Sequence, residues 1–466
     1  MNISFECPDK VNGQMTLNVE AGDYMENVEK KLKDLRKKAN MPGFRAGNVP
    51  MSIIKRQYGT SVKVDEINKL IGEAIYKYVK DNNIKMLGEP LPSQNQTPQD
   101  LEAEGPFEFL FDIAVAPDFD IALSKKDKVK YYEIEVDDKL IDGQIDMFAS
   151  RNGHQEKVEE YDETQRDILK GDLRQLDAEG NTLEGGITVS DAVLMPYYIK
   201  VDEQKALFDK AKLGDIITFN PKKAYPDSDT EIAALLKMKK EEVAELTSDF
   251  SFQVTEISRY VKADVNQALF DAVFGEGNVT SEEDFRQKIG EGLRPQLMAE
   301  TDYRFFLDVR KYAEEKVGEL TFPDELLKRI MKANNKDKDD KFVEDNYPAS
   351  VKELKWHLIK EQLVNAAGIK INDDEVQGTA KEMARAQFAQ YGMNDVPDEY
   401  LENYAKDLLK NKQNIDGIID RTIDRKLNIA LKDIVTLDVK KVTLDEFQNI
   451  VKEYLLYLFR NVSHKL

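Results

Sequence analysis

Several residue types that usually carry enzyme chemistry are scarce in this sequence. Its 466 residues include one cysteine, Cys7, and three histidines, His154, His357 and His464. A single cysteine excludes an intramolecular disulfide, and no histidine lies within four residues of another histidine or of Cys7, as a local metal site would require. The sequence also lacks a Gly-x-Ser-x-Gly turn and a phosphate-binding loop with its lysine. We therefore expect no catalytic residue, no metal and no cofactor.

Long apolar runs and a basic overall charge are also missing. No stretch approaches the ~18 apolar residues of a membrane span, and the first ten residues, MNISFECPDK, lack the apolar core of a secretory signal. Lysine and arginine total 67 against 88 aspartates and glutamates, a net charge of −21. Proteins that bind nucleic acid usually carry a basic face, so any contact with RNA must come from a local patch. We expect a cytoplasmic protein without a membrane contact.

Hydrophobic periodicity divides the sequence, and its first part reads as an α+β domain over residues 1–115. Apolar and polar positions alternate over 1–20, which predicts strands joined by a turn at Asn12-Gly13, and they alternate again over 107–115. Between these strands, helical spacing predicts three helices: 24–39, one that begins near Pro50, and 61–82.

The remainder of the sequence predicts three further segments. Residues 116–151 read as an extended linker followed by a connecting helix over 138–151. Residues 152–257 read as a second α+β domain, with Gly171-Asp172 among its turns. Residues 258–466 show helical spacing throughout and predict an elongated all-α domain. The fold class expected is thus a multidomain α+β protein with a helical C-terminal domain.

A short loop between two predicted helices carries the most informative pattern. Within residues 42–50, two prolines and two glycines bracket Phe44 and Arg45. Loops of this kind lie at the surface, so a phenylalanine there either docks into a partner or packs back onto the core. Residues 24–80 hold 13 lysines and arginines against 6 aspartates and glutamates, a local net charge of +7. This pattern favours contact with RNA or an acidic protein surface, and an ordinary helix connector is the alternative.

The segment Met41–Pro50, MPGFRAGNVP, resembles the ribosome-binding motif of the trigger factor family. The similarity extends through residues 53–65 to the strand at 107–115, and it reappears over 264–274. This resemblance implies three parts: a ribosome-binding tail domain, a middle domain with the FK506-binding-protein (FKBP) fold, and a helical domain whose arms cradle unfolded chains. It implies an ATP-independent chaperone that meets nascent polypeptides at the ribosomal tunnel exit, touching ribosomal protein and rRNA, and that could form a homodimer when free.

By the same resemblance, the ribosome-docking residues lie in this loop. They are Gly43, Phe44, Arg45, Gly47, Asn48 and Pro50. Asn48 stands where the family usually has lysine, so the phosphate contact is either weaker here or passes to Lys55 or Arg56.

In many family members the middle domain isomerises X-Pro bonds in an aromatic-lined pocket, which twists and desolvates the prolyl bond. Two elements usually line that pocket: a strand containing Asp-Phe and an Ile-Pro-Gly-aromatic-Glu segment. Here they correspond to residues 172–177, DLRQLD, and 201–208, VDEQKALF. We therefore expect a degenerate FKBP-like domain with weak or absent isomerase activity. The alternative function is an active isomerase recruited to nascent chains. The remaining aromatic residues of the domain, for which core packing is favoured over peptide binding, are Tyr197, Tyr198, Phe208 and Tyr225.

The helical domain is expected to hold unfolded clients through apolar patches, since burial of apolar surface contributes about 25 cal/mol per Å². Candidates cluster near a break marked by Gly392 and Pro397. They are Met383, Phe388, Tyr391 and Met393, each with ordinary helix core as the alternative. A third reading, a helical adaptor without ribosome contact, is disfavoured by the loop and its basic surroundings.

Overall fold

The computed structural model describes residues 1–42, 44–45, 47–393 and 395–463, except for the side chains of residues 413, 455 and 457–463. The chain divides into two compact units. The first comprises Met1–Tyr132 and Thr301–Lys440, and the second comprises Glu133–Glu300 and the residues from Lys441 onward. Each unit is therefore assembled from separate stretches of sequence.

An antiparallel four-stranded sheet and two helices form the N-terminal part of the first unit. Its elements are β1 (Asn2–Glu6), β2 (Asn12–Val19), α1 (Ala21–Lys38), α2 (Met51–Asp81), β3 (Leu91–Pro92) and β4 (Phe107–Ala114). The strand order is β1-β2-β4-β3. Met15, Leu17 and Val19 alternate along β2 and are fully buried in the same core as the helices. This confirms the strands that were predicted at both ends of the domain.

The turn between β1 and β2 precedes Asn12, so the turn predicted at Asn12-Gly13 is wrong. The carboxylate of Asp9 accepts hydrogen bonds from the backbone nitrogens of Val11 (3.0 Å) and Asn12 (2.7 Å) and thereby builds the turn. Gly13 lies inside β2, where a Cβ would come within 2.5 Å of the ring of Phe5. Close packing against an aromatic ring, rather than a turn, therefore explains this glycine.

Two helices were predicted after the loop, but the structure has one continuous helix, α2, in their place. It begins at Met51 directly after Pro50, as predicted, and continues for 31 residues to Asp81. Gly59 lies within it with open space around the position of a Cβ. A helix can tolerate such a glycine at a cost of about 1 kcal/mol relative to alanine. The glycine thus weakens the helical pattern without ending the helix.

Most of the second unit is a sheet domain. The next strand along the chain, β5 (Lys128–Ile134), still lies mostly in the first unit. The elements that follow it are α3 (Asp138–Arg151), β6 (His154–Lys157), β7 (Ile168–Gln175), β8 (Thr188–Leu194), α4 (Asp202–Lys205), β9 (Ile216–Phe219), α5 (Pro221–Ala224), α6 (Asp229–Leu236) and β10 (Phe250–Val261). The antiparallel sheet has the order β6-β10-β7-β8, with β9 also paired to β10. The helix predicted over residues 138–151 is confirmed at both ends.

Gly171-Asp172 lies within β7, so the turn predicted there is wrong. A Cβ on Gly171 would come within 2.2 Å of the carbonyl oxygen of Gln253 on β10. The register between β7 and β10 also shifts immediately after the pair Gly171–Val254. A glycine at a bulge allows the two backbones to approach closely.

Helices dominate the remainder of the chain. They are α7 (Gln267–Phe274), α8 (Glu282–Val317), α9 (Asp324–Asn334), α10 (Asp340–Ala366), α11 (Asp373–Gln390), α12 (Asp398–Lys410), α13 (Lys412–Ile434) and α14 (Leu444–Ser463). One strand, β11 (Thr436–Val442), interrupts them and pairs with β5. The sequence pattern missed this strand, and the extended linker expected from residue 116 is wrong over Lys128–Ile134, which form β5. In the first unit, α8, α10 and α13 share one core, in which Val309, Ile359 and Leu427 are fully buried.

Candidate functional site

The loop between α1 and α2 is fixed at its base by backbone contacts. The Nε of Arg36 donates to the carbonyl oxygen of Val49 at 2.9 Å, and the side chain of Val49 is fully buried. The backbone nitrogen of Gly47 donates to the carbonyl oxygen of Ala39 at 3.2 Å. Gly47 has a φ of 78°, and a Cβ there would lie 3.3 Å from the carbonyl oxygen of Lys37. This position therefore favours glycine.

The end of the loop presents Phe44 and Arg45 to solvent. The side chain of Phe44 is 39% exposed, and Arg45 and Asn48 are also exposed. The backbone nitrogens of Phe44 and Asn48 donate to the carbonyl oxygens of Met41 (3.1 Å) and Arg45 (2.9 Å). The alternative in which Phe44 belongs to the buried core is therefore wrong. Gly43, which was also predicted to contribute to docking, lies outside the described residues.

Positive charge surrounds this exposed tip. Lys37 and Lys38 lie in the last turn of α1, and Lys55 and Arg56 are exposed near the start of α2, whose first turn has no acidic residue. A helix N-terminus also carries a partial positive charge. Among the described residues, the ion pairs of α1 and α2 that involve a basic side chain are formed by Lys31, Lys33, Lys37 and Lys69, and not by Arg45, Lys55 or Arg56. These three cations are therefore available to an anionic partner.

A second exposed surface lies where α11 leads into α12. Tyr391, Met393 and Tyr400 are 74%, 50% and 66% exposed. A groove of about 530 Å³ is lined by Phe388, Met393, Val396 and Tyr400, among others. We call these four residues the hairpin groove. An exposed apolar surface of this kind is typical of a binding site rather than of a helix core.

The four predicted client-binding residues have different environments. Tyr391 and Met393 are exposed, and Phe388 lines the groove while its ring lies 5.4 Å from that of Tyr404. Met383 instead packs against the buried cluster formed with α12 and α13, so the helix-core alternative holds for this residue. The sequence pattern did not indicate Tyr400, because the predicted residues lie on or directly after α11 and Tyr400 belongs to α12. Its place three residues after Pro397, in the first turn of α12, was the available signal.

The aromatic residues of the sheet domain mostly fill its core. Phe208 is fully buried, with its ring centroid 5.3 Å from that of Phe219. Tyr225 is also buried, so core packing is confirmed for Phe208 and Tyr225. Tyr198 is 64% exposed, so core packing is wrong for this residue. Tyr197 is half-buried, with its ring centroid 4.5 Å from that of Tyr198. The segment that corresponds to the pocket wall thus ends in a core side chain.

Tyr161 is a polar residue of this core that the sequence did not single out. Its side chain is buried, and its hydroxyl has no hydrogen-bond partner among the described residues. Burial, followed by the nearby carboxylates of Glu163 and Asp167, raises the pKa of Tyr161 above its ordinary value. Arg259 donates to both carboxylate oxygens of the fully buried Asp167, at 2.8 and 2.7 Å. Tyr161 is therefore a neutral phenol, and Asp167 is held by a bidentate ion pair.

Metal-binding clusters and membrane-spanning helices are absent from the part of the chain that the structure describes. Over the described ranges, no three or more histidine, cysteine, aspartate or glutamate side chains are grouped so that they could hold a metal ion. Within those same ranges, no helix combines the length and the apolar character that crossing a membrane requires.

Comparison with protein-family models matches three regions of the chain. Residues 1–148 match the model described as bacterial trigger factor protein, and residues 155–262 match the FKBP-like domain of probable trigger factor. Residues 301–451 match the C-terminal domain of probable trigger factor. The chain belongs to the trigger factor family. Its exposed loop lies in the first matched region, and its hairpin groove lies in the third.

Individual trigger factors match this family member over most of its length. The trigger factor of Alkalilimnicola ehrlichii is 23% identical over 442 residues, which cover 90% of this chain and 89% of the relative. That of Halorhodospira halophila is 22% identical over 466 residues, with coverage of 96% and 98%.

A solved structure supports the same fold. It comes from work on promiscuous substrate recognition in folding and assembly by the trigger factor chaperone, and it superposes with a TM-score of 0.52 at 16% identity. The match covers 93% of this chain and 99% of that one. At this identity the similarity establishes the fold alone. The predicted fold class, an α+β N-terminal domain, an FKBP-like domain and a helical C-terminal domain, is confirmed.

Proposed function

We propose that this trigger factor family member is an ATP-independent chaperone that docks on the ribosome and binds nascent polypeptides as they emerge. The observation that carries the proposal is the exposed Phe44-Arg45 tip, held on a fixed base in basic surroundings. In a chain with a net charge of −21, such a concentration of positive charge favours an anionic partner.

Docking would combine an apolar anchor with charge. The ring of Phe44 can enter an apolar pocket on a ribosomal protein, and the planar guanidinium of Arg45 can donate to a carboxylate or a phosphate of rRNA. Lys55 and Arg56, exposed on the first turns of α2, can supply the phosphate contact that Asn48 does not. Because charge contributes to this contact, rising salt should weaken it.

Client binding is proposed for the hairpin groove and for the adjacent side chain of Tyr391. Apolar burial there would bind unfolded segments weakly, and no nucleotide is needed to release them. Docking at the ribosome raises the local concentration of nascent chain, which compensates for the low affinity of each contact. We place this activity in the cytoplasm and include a homodimer of the free protein in the proposal.

The domain division proposed for this function follows the sequence pattern. Residues 1–115 form the ribosome-binding domain, and residues 116–151, which contain β5 and α3, form the linker and connecting helix. Residues 152–257 form the FKBP-like domain, and residues 258–466 form the client-cradling domain. Limited proteolysis tests this division, because exposed connections between domains are cleaved first.

Co-sedimentation with ribosomes tests the docking proposal. The variant Phe44→Ala/Arg45→Ala should remain in the supernatant while the unaltered chain pellets with ribosomes. A matched control, Tyr76→Ala/Lys77→Ala, removes an exposed aromatic residue and a cation from α2 and should still pellet. Co-sedimentation of the loop variant at the level of the control would contradict the proposal.

A further inference from the structure

Four lysines lie on the two-stranded ribbon formed by β5 and β11 or in the turn directly before it. We define the ribbon lysine patch as Lys126, Lys128, Lys130 and Lys440. All four belong to the first compact unit, and all four side chains are exposed. The patch lies outside the loop and outside the hairpin groove, so neither proposed contact accounts for it.

Strand geometry places two of these lysines together at the start of one face of β5, the face that carries the buried Tyr132 and Ile134 farther along. Val129 is buried and the ring of Tyr131 packs edge-on against that of Phe305, at 5.7 Å between centroids. Because successive side chains of a strand point to opposite faces, Lys128 and Lys130 lie together on the other face. Residues two apart on a strand are about 6.6 Å apart, so the two ammonium groups form a short row of charge.

The nearest carboxylate in the sequence does not neutralise this row. Asp127 is buried, and it accepts hydrogen bonds from the hydroxyl of Tyr312 at 2.8 Å and from the Nζ of Lys316 at 2.6 Å. The neighbouring Lys125 is also engaged, because its Nζ donates to the carbonyl oxygen of Val435 at 2.9 Å. Lys125 is therefore a structural residue and is not counted in the patch.

The remaining charges leave the patch positive. Ion pairs within the described residues include Lys316 with Asp127 and Lys441 with Glu135, but they include no member of the patch. Two exposed carboxylates on the ribbon, those of Glu133 on β5 and Asp438 on β11, offset part of the charge. Four lysines against these two carboxylates leave a net positive charge on this part of a strongly acidic chain.

The composition of the patch favours phosphate over an acidic protein as its partner. Protein–protein interfaces are enriched in arginine and aromatic residues and depleted of lysine, whereas this surface carries lysine alone as its cation. Lysine binds phosphate as a point charge without demanding a planar partner. We propose that the ribbon lysine patch binds the phosphate backbone of RNA, as a contact separate from the loop. The proposal extends the proposed ribosome association but can be tested on free RNA.

Fluorescence anisotropy with labelled oligouridylate tests this contact in the full chain, over a salt series from about 50 to 200 mM. The variant Lys126→Gln/Lys128→Gln/Lys130→Gln/Lys440→Gln should bind about tenfold more weakly at the low-salt end. Its slope of log affinity against log salt should become shallower by roughly 2–3, since each single-strand phosphate contact contributes about 0.7. A control with the same change of net charge, Lys200→Gln/Lys240→Gln/Lys341→Gln/Lys352→Gln, should retain both the affinity and the slope. Its four lysines are exposed and scattered.

Three outcomes would overturn the proposal. The ribbon variant could keep the affinity and slope of the unaltered chain, or the scattered control could lose as much as the ribbon variant does. Polyglutamate could bind with the same dependence on these four lysines as RNA, which would indicate an acidic protein partner. If circular dichroism shows the quadruple variant unfolded, the four single Lys→Gln variants replace it, and each should reduce the slope by about 0.7. Loss of ribosome co-sedimentation in the loop variant is independent of all these results.

Discussion

The Nε of Arg36 on α1 lies 2.9 Å from the carbonyl oxygen of Val49 and donates a hydrogen bond to it. This bond ties the far end of the loop to the helix that precedes it. Since the side chain of Val49 is buried at the same point, the loop enters α2 in a fixed direction. The exposed pair Phe44 and Arg45 therefore projects from a fixed base, which lowers the entropy that a docking contact must overcome.

Replacing Arg36 by methionine should loosen this base. The variant retains an unbranched side chain but leaves the carbonyl of Val49 without its charged donor, which we expect to cost about 1–3 kcal/mol of stability. Urea unfolding followed by circular dichroism measures that loss, and co-sedimentation should show weaker ribosome association although Phe44 and Arg45 are unchanged. The control Lys38→Met changes an exposed lysine in the same last turn of α1. It should change stability by less than about 0.5 kcal/mol. Equal stability of the two variants would contradict the assigned role of Arg36.

Two glycines around the loop should respond to alanine in opposite directions. At Gly47, with its φ of 78° and the Lys37 carbonyl oxygen 3.3 Å from a Cβ, alanine should destabilise the protein by about 1–2 kcal/mol. At Gly59, inside α2 with nothing near the Cβ position, alanine should stabilise it by about 0.5–1 kcal/mol. Unfolding midpoints of the two variants check both signs, and a stabilising Gly47→Ala would show that the loop conformation is wrong.

The ion pair between Arg329 on α9 and Asp112 on β4, 2.7 Å long, should give a pH-dependent contribution to stability. Burial raises the pKa of Asp112, but hydrogen bonds from Arg329 and Ser93 outweigh burial and hold that pKa below its usual value. A lowered pKa stabilises the folded state above the unfolded pKa of about 3.9, and this stabilisation is lost as the pH falls through the folded pKa.

The coupling energy from a double-mutant cycle, Asp112→Asn with Arg329→Met, measures that contribution. We expect about 1–3 kcal/mol at neutral pH and a value near zero once Asp112 is protonated. A coupling energy that stays constant into the acid range would contradict the assignment.

Prolyl isomerase activity should be weak or absent. The segment that corresponds to the pocket wall ends in Phe208. This side chain is fully buried against Phe219 and Phe252, so it cannot contact a substrate. In a protease-coupled assay on a short prolyl peptide, isomerisation should be about as slow as the uncatalysed reaction. The uncatalysed reaction takes about tens to hundreds of seconds. An ordinary FKBP at equal concentration serves as the positive control, and a comparable acceleration by this chain would show that a working pocket exists.

Removing the apolar side chains of the hairpin groove should weaken client holding without unfolding the protein. Met393→Ser/Tyr400→Ser deletes two largely exposed side chains, each of which could contribute about 1–2 kcal/mol to binding. Suppression of aggregation of a denatured client should then require more chaperone. A matched pair on α8, Met298→Ser/Tyr303→Ser, has similar exposure and should have a smaller effect. The groove is not the client site if the two pairs behave alike.

Much of the fold could be predicted because its signals are local. Alternation along residues 107–115 predicted β4, and the helix at 138–151 matches α3. The strand β11 could not be predicted, because its sequence TLDVKKV is largely polar and its partner β5 lies about three hundred residues earlier. Gly13 and Gly171 misled the turn assignments for a related reason. Their function is to admit Phe5 and the backbone of Gln253, which are contacts that no local pattern reveals.

The candidate sites divide in the same way. The Phe44-Arg45 tip was accessible to sequence reasoning because a glycine- and proline-bracketed loop must lie at the surface. The groove could be predicted only in part from the sequence. Met383 and Phe388 lie on the same helix, but Met383 packs inward and only Phe388 lines the groove. Which side of α11 faces α12 and α13 is decided by tertiary packing. Tyr400, contributed by the next helix, completes the groove for the same reason.

Site-specific photo-crosslinking from position 44 tests the docking claim most directly. A benzophenone amino acid replaces Phe44 in one variant and the exposed Tyr76 or Tyr198 in two control variants. After irradiation with ribosomes, position 44 should give a covalent adduct to a ribosomal component, and positions 76 and 198 should give none. An adduct from either control position together with none from position 44 would contradict the account.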